Sequence, residues 1–355
     1  MKAYPLSLTL PLATHIFGGH NIRERLGKAG LPDGRIAETW EVSDVDGMIA
    51  TVKNGELAGQ TLRELTERYP DHLVAPGWRG PHFPLLTKFI DGNGMLPVHL
   101  HANDEAAARL EGQPNGKTEA WHILWAAEGA TCLLGVKPGV DRATLRSALL
   151  DGDYDAVMYR YPVRAGDTFY VPGGMLHSFG PDTLIYEIEQ TSNIQQHAMP
   201  WNMEDGSRLA RATQEKNIDA LLDELRPALV SLPYPGLLRE ETPACRRVMC
   251  CAGPYFALER WRIASEYAYT FGSVRLVSNI GEPCELEANG ERYPLGRAES
   301  LLLPAALKQV TFHGPGEVLV GYVPDLENEV RAPLRAQGCD DQTIRLLGDV
   351  WDERR

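Results

Sequence analysis

A chain of 355 residues exceeds what one hydrophobic core usually organises, since domains cluster at about 100–150 residues, so two domains are the starting expectation. With 43% hydrophobic and 23% charged residues the composition is that of a globular protein, which excludes long disordered stretches. The formal charge of −13, from 35 basic and 48 acidic residues, excludes nucleic acid and membrane surfaces as partners, because such a surface repels phosphate backbones and anionic lipid.

The amino-terminal stretch MKAYPLSLTLPLATHIFGGH is interrupted by Pro5 and Pro11 and shows no small-residue cleavage site. No apolar run approaches the ~18 residues that a membrane span requires. The expectation is mature, cytoplasmic sequence. Six cysteines without paired spacings read as thiols in a reducing compartment. Within residues 1–80, WEVSDVDG suggests a strand and turn and LRELTERY a short helix. This segment is expected to pack on the domain that follows.

Residues 81–200 alternate short strand-like runs with turns: FPLLTKFID, LPVHLH, EAWHILWA, TCLLGV, VMYRYPV, TFYVP and TLIYEIEQ. Closely spaced short strands predict a sandwich or barrel. In LPVHLH the side chains alternate, so His99 and His101 share one face and Val98 and Leu100 the other. In TEAWHILWA, Glu119 falls with Trp121, Ile123 and Trp125, which leaves His122 on the opposite face as a packing or surface histidine. Glu105 is a rival carboxylate only four positions after His101, yet NDEAAARL reads as a helical turn capped by Asn103, where acids favour the helix dipole. The string GDTFYVPGGMLH matches the second cupin motif, G-x5-P-x-G-x2-H, at Gly166, Pro172, Gly174 and His177. His99, His101, Glu119 and His177 are therefore the expected ligands of one divalent metal. Three imidazoles and a carboxylate suit a borderline divalent ion such as Zn, Fe, Mn, Co or Ni.

Residues 201–240 include MEDGSRLARATQEKNIDALLDELRPAL, whose leucines and alanines recur at helical intervals, so a helical connector is expected, ended by Pro227, Pro233 and Pro235. A second strand series fills residues 241–326, through YFALERWRI, VRLVSN, CELEAN, ERYPL, SLLLP, KQVTFH and EVLVGYV. It holds only His313 and no His-x-His pair, and reads as a second barrel without metal. Residues 327–355 form a helical tail in which Ile344, Leu347 and Trp351 recur on one side, suited to sealing a barrel end or a homodimer interface. The expected class is mainly β: two cupin-type β-barrels (jelly rolls) joined by a helical connector.

Over roughly residues 15–325 the chain resembles the short, class I mannose-6-phosphate isomerases. The strings that carry the resemblance are FGGHNIRERLG, AETWEVSD, FPLLTKFID, HLHANDEAA, GKTEAWHIL, GDTFYVPGGMLH and EIEQTSN, in that order. The resemblance implies one zinc, an aldose–ketose isomerisation of a sugar phosphate through an enediol, and a second barrel without metal. It places the family's Gln-x-His ligands on His99 and His101, its glutamate on Glu119, its last histidine on His177 and its lysine on Lys117. Two departures stand out. His99 replaces a glutamine, exchanging an oxygen donor for a nitrogen donor. After EIEQTSN the family's arginine gives way to His197 in IQQHAMPW, a group that can carry a proton where arginine chiefly stabilises negative charge.

The leading functional expectation is a metal-dependent isomerase of a sugar or sugar phosphate, with Lys117 and His197 as candidate bases. A non-catalytic, sugar-binding regulatory protein would bind ligand without exchanging a substrate proton with deuterated water. An Fe(II) cupin oxygenase would consume dioxygen during turnover.

Overall fold

Residues 2–352 are described by the computed structural model, so the last three positions of the expected tail lie outside the described residues. Strand alternation sets the architecture. The first half supplies β1 (Leu12–Ala13), β2 (Glu38–Val42), β3 (Leu85–Gly92), β4 (His99–Leu100), β5 (Glu119–Ala126) and β6 (Thr131–Val136). It continues with β7 (Met158–Pro162), β8 (Thr168–Val171), β9 (His177–Ser178), β10 (Thr183–Gln190) and β11 (Gln196–His197). These pair as a six-stranded sheet in the order β1-β2-β3-β10-β5-β8 and a five-stranded sheet in the order β11-β4-β9-β6-β7.

The second half repeats the plan with β12 (Leu237–Glu241), β13 (Cys245–Ala252), β14 (Ala257–Ile263), β15 (Glu266–Thr270) and β16 (Arg275–Asn279). After them come β17 (Cys284–Ala288), β18 (Glu291–Leu295), β19 (Ser300–Leu303), β20 (Gln309–His313) and β21 (Gly316–Tyr322). They form a six-stranded sheet ordered β12-β13-β14-β21-β16-β19 facing a four-stranded sheet ordered β15-β20-β17-β18. Each half is thus a jelly roll of two facing sheets rather than a closed barrel, as the mainly β, cupin-type expectation requires.

The period of two in each strand decides which core a residue joins. In β5, Trp121 and Ile123 enter the first jelly roll with Phe169, Val171, Phe179 and Ile185, while Ala120 and Leu124 point out of it. In β21, Val318, Val320 and Tyr322 enter the second, while Leu319 points out. The outward faces of the two six-stranded sheets pack on each other: Ala120, Tyr186 and Ile188 share a core with Phe256, Leu258, Leu276 and Leu319. That common core is the interface of the two halves. The amino-terminal segment reaches both, since β2 extends the first six-stranded sheet and Leu6 pairs with Leu302 of β19.

The other face of the first jelly roll is covered by helices Arg142–Asp151 and Arg211–Glu224. Leu145, Leu149, Ile218 and Leu221 pack there on Val98, Leu100 and Leu133. The connector is helical over Arg211–Glu224 and irregular from there until β12 begins at Leu237. The tail contributes Ile344, Leu347 and Val350 to the second core, with Trp351 packed at its margin.

His122 lies in the region between the halves, buried, with Nδ1 bonded to the Thr168 hydroxyl at 2.9 Å. Burial, helped by the Arg260 guanidinium, pushes its pKa down to about 3. Because the folded value is depressed, this contribution to stability is complete above the ordinary histidine value near 6.5 and is lost as pH falls through about 3. The expected outcome is a progressive loss of stability between those values, on the order of 4 kcal/mol by linkage. Denaturant melts of His122→Gln and the parent chain at pH 7 and pH 4 check it: equal acid sensitivity of the two removes His122 as its source.

Candidate metal centre

Three short structures bring the expected ligands together. His99 lies on β4 and pairs directly with His177 on β9, so the two imidazoles stand on the same face of the five-stranded sheet. His101 follows two positions along the same strand direction. The turn before β9 passes so close to the His101 strand that a side chain at Gly173 would sit 2.7 Å from the Asn103 Cα and 2.9 Å from the Ala102 carbonyl oxygen. Gly174, at φ +91°, then donates its N–H to the His101 carbonyl at 2.6 Å. The glycines of the motif are backbone requirements of this approach.

The donor atoms converge. Each imidazole gives Nδ1–H to a main-chain carbonyl: His99 to Pro97 at 2.7 Å, His101 to Ile194 at 2.7 Å and His177 to Met175 at 2.8 Å. That fixes the tautomer and leaves every Nε2 with a lone pair turned inward, the arrangement by which proteins orient metal-binding histidines. The Nε2 atoms of His99 and His177 lie 3.0 Å apart, two lone pairs that repel unless a cation stands between them. Glu119 closes the group, with Oε2 3.1 Å from His101 Nε2 and Oε1 3.2 Å from His177 Nε2. Oε2 is buried 3.0 Å from the Lys117 ammonium, and Oε1 accepts the Trp121 indole N–H at 2.8 Å. Burial pushes His101 down to about 4 and His99 well below the usual range, so both are neutral near pH 7. Three inward imidazole nitrogens and a carboxylate, all buried, fit a divalent ion.

Around the donors runs a layer of buried charge of which the sequence singled out only Lys117. Lys117 Nζ stands 3.0 Å from Glu119 and 2.7 Å from Glu189. Lys88 Nζ stands 3.1 Å from Glu187, 2.9 Å from Glu189 and 4.0 Å from Glu38. The signal was present in TLIYEIEQ, where Glu187 and Glu189 take the inward parity of Ile185 within a strand otherwise apolar. Burial alone would lower both lysines, but the carboxylates outweigh it and hold each well above the ordinary range. Lys117 is therefore an ammonium shared between two carboxylates, which argues against the expected role of base and for that of a fixed positive charge.

His197 lies on the edge strand β11 and pairs with His99, while its neighbour Ala198 joins the helix-covered core on the far face. Register thus puts His197 on the imidazole side of the sheet, one strand from His99. Its Nδ1 is buried without a hydrogen-bond partner, and burial, opposed by Glu204, lowers its pKa. A cleft of about 330 Å³ has His99, Lys117 and Glu119 in its wall, while His101, His177 and His197 are not among its lining residues.

Asp104 ties this region to the second jelly roll. Its carboxylate accepts the Gly116 N–H at 2.8 Å, the Gln190 amide at 3.1 Å and the Tyr255 hydroxyl at 2.6 Å. Asn103 caps the turn that carries Asp104 and Glu105, accepting from the Ala106 N–H, so Glu105 is a helix-start residue and not a donor to the centre. Tyr255→Phe removes one hydrogen bond to a charged acceptor, so unfolding free energy is expected to fall by about 1.5 kcal/mol. Chelator competition should also show faster metal release; an unchanged release rate would show that the second jelly roll does not brace the centre.

In the second jelly roll β16 lies between β21 and β19 as β5 lies between β10 and β8. Where β5 begins with Glu119, β16 begins with Arg275, whose buried guanidinium pairs with Glu329 and bonds the Tyr269 hydroxyl at 2.9 Å. A cation occupies the place of a ligand, and among the described residues no group of metal-binding side chains is found in that half.

Residues 249–323 match the family model described as mannose-6-phosphate isomerase, cupin domain. A mannose-6-phosphate isomerase of Streptococcus mutans is 31% identical over 330 residues, covering 90% of this chain and 98% of the relative. A probable mannose-6-phosphate isomerase of Bacillus subtilis is 27% identical, with coverage of 90% and 99%. The crystal structure of the mannose 6-phosphate isomerase from Bacillus subtilis superposes with a TM-score of 0.80 at 26% identity, covering 91% of this chain and all of that one.

Proposed function

The chain belongs to the mannose-6-phosphate isomerase family, and from that premise we propose that it interconverts an aldose and a ketose at the cleft beside His99, His101, Glu119 and His177. The observation that carries the proposal is the convergence of three inward Nε2 atoms, two of them within 3.2 Å of the Glu119 carboxylate, next to a cleft that holds a paired lysine.

His99, His101, Glu119 and His177 would hold a divalent ion, and the donor set suits zinc. When bound, such an ion polarises the sugar carbonyl and lowers the cost of negative charge on its oxygen. The protein's own groups do the rest. Lys117, kept as an ammonium by Glu119 and Glu189, faces the charge that develops when the carbon acid is ionised. His197, neutral because burial lowers its pKa, takes the proton from C2 of the aldose and returns it to C1, while the hydroxyl proton passes from O2 to O1. No electrons leave the sugar, and the products balance.

All six cysteines are unbridged and five are buried, in keeping with a reducing, cytoplasmic setting. No helix among the described residues is long and apolar enough to cross a membrane. The test is incorporation of solvent deuterium at C1 and C2 when metal-loaded protein is incubated with aldoses, ketoses and their phosphates. Bound sugar with no exchange would replace the isomerase reading by a binding one.

A further inference from the structure

The strand that carries His197 is held from behind by a pair of carboxyl groups. Side chains alternate along β11, so Gln196 and Ala198 face the helix layer while His197 faces the imidazoles. Helix Arg211–Glu224 grips that rear face at two points. Gln214 donates to the Ala198 carbonyl at 3.1 Å. The Gln196 amide nitrogen donates to Glu111 at 2.7 Å and reaches Glu224 at 3.4 Å. The two carboxyls also bond each other, so one proton joins the last residue of the long helix to the last residue of the helical turn Ala107–Glu111. Burial keeps that proton on Glu224, the nearby Glu111 adds to the effect, and together they push its pKa up to about 8. Its place at a helix C-terminus acts in the same direction, because the macrodipole disfavours an anion there and the last turn holds no basic residue. The neighbouring charges do not relieve it. Asp223 adds a further negative charge, turned toward Arg142 at 2.6 Å; Arg226 bonds the Gly173 carbonyl at 3.3 Å; and Arg109, on the turn of Glu111, is exposed. Among the described residues neither Glu111 nor Glu224 has an ion-pair partner.

We propose that Glu224 is a positioning residue: the proton it shares with Glu111 clamps β11 through Gln196 and so sets where His197 stands. What His197 does there rests on the isomerase reading above; the clamp itself does not. The segment it holds touches the centre twice, since the Ile194 carbonyl accepts from His101 at 2.7 Å and His197 pairs with His99. Releasing β11 opens both carboxyls to water. Because the folded value of Glu224 is raised, the clamp is complete below the ordinary glutamate value near 4.5 and weakens as pH rises toward about 8. Above that the group is ionised in the closed and the open strand alike, and no further loss occurs. Within the interval each pH unit weakens the clamp by about tenfold at most.

The experiment follows hydrogen exchange at the Gln196, His197 and Ala198 amides of the full, zinc-loaded chain from pH 6 to pH 9, each rate divided by the intrinsic rate at that pH. Protection is expected to fall by up to about a hundredfold between pH 6 and pH 8 and to level by pH 9. Glu224→Gln, which keeps a neutral donor, should hold protection constant. Exchange reports the rare open strand, so turnover keeps its plateau while the closed strand predominates. Glu224→Ala should lower turnover by about tenfold or more with little change in KM, and Glu224→Gln should restore it. A flat profile in the parent chain, the same slope in Glu224→Gln, or an equal fall at the Leu145 and Leu149 amides of the covering helix overturns the clamp. Unchanged turnover in Glu224→Ala overturns its positioning role. If protection follows the expectation while no sugar exchanges deuterium, the clamp stands and the isomerase reading falls.

Discussion

His177→Ala is expected to leave the chain folded and without metal, with metal content falling from one ion per chain to below about a tenth and turnover falling on the order of a thousandfold. The imidazole is fully buried, its Nδ1 is tied to Met175, and its Nε2 lies between His99 at 3.0 Å and Glu119 at 3.2 Å. Truncation removes one nitrogen donor and leaves a space into which water can enter. Three protein donors then remain where the site is shaped for four. Elemental analysis after dialysis and circular dichroism read the two halves of this expectation separately. His99→Gln makes a sharper comparison, because it keeps a neutral donor at the same backbone position but exchanges nitrogen for oxygen. It should retain metal at lower affinity, with the later transition ions weakened most. Full metal content in His177→Ala would remove that residue from the donor set and with it the geometry on which the chemistry depends.

His197→Ala is expected to separate chemistry from binding, with turnover falling about 10²–10⁴-fold while metal content stays unchanged, the usual range for loss of a proton-transferring group. The residue pairs in register with His99 on the neighbouring strand, outside the donor set. Its burial lowers its pKa, so the neutral form needed to accept a proton predominates above the shifted value. In the parent chain kcat/KM should therefore rise with pH through a value below the ordinary 6.5 and then level. That rising limb should vanish in His197→Ala. His197→Arg decides between proton transfer and simple positive charge, because arginine cannot deprotonate in this range. An active arginine variant with a flat acidic limb would assign the position to charge stabilisation.

The metal centre was legible in the sequence because strand parity is a local rule. His99 and His101 two apart, Glu119 opposite in parity to His122, and the glycines and proline before His177 each report a backbone conformation that neighbouring residues fix. The same parity applied to TLIYEIEQ and TKFID would have exposed Glu187, Glu189 and Lys88 as inward charges. What parity cannot supply is the partner. That Lys117 and Lys88 share Glu189, so that Lys117 is a held cation and a poor base, depends on three strands meeting across 101 residues of chain.

By itself the sequence determined the class of fold and brought out His99, His101, Glu119 and His177 as candidate donors with the direction each faces, since these follow from the alternation of short strands and from turns that only glycine can make. The tertiary structure alone decided how the two jelly rolls are joined back to back, that Arg275 stands in the second where Glu119 stands in the first, and how charge is distributed through the cleft. Those properties arise from residues far apart in the chain whose interaction has no local backbone signature: electrostatic energy depends on distance in space and on burial, and neither is set until the sheets have packed.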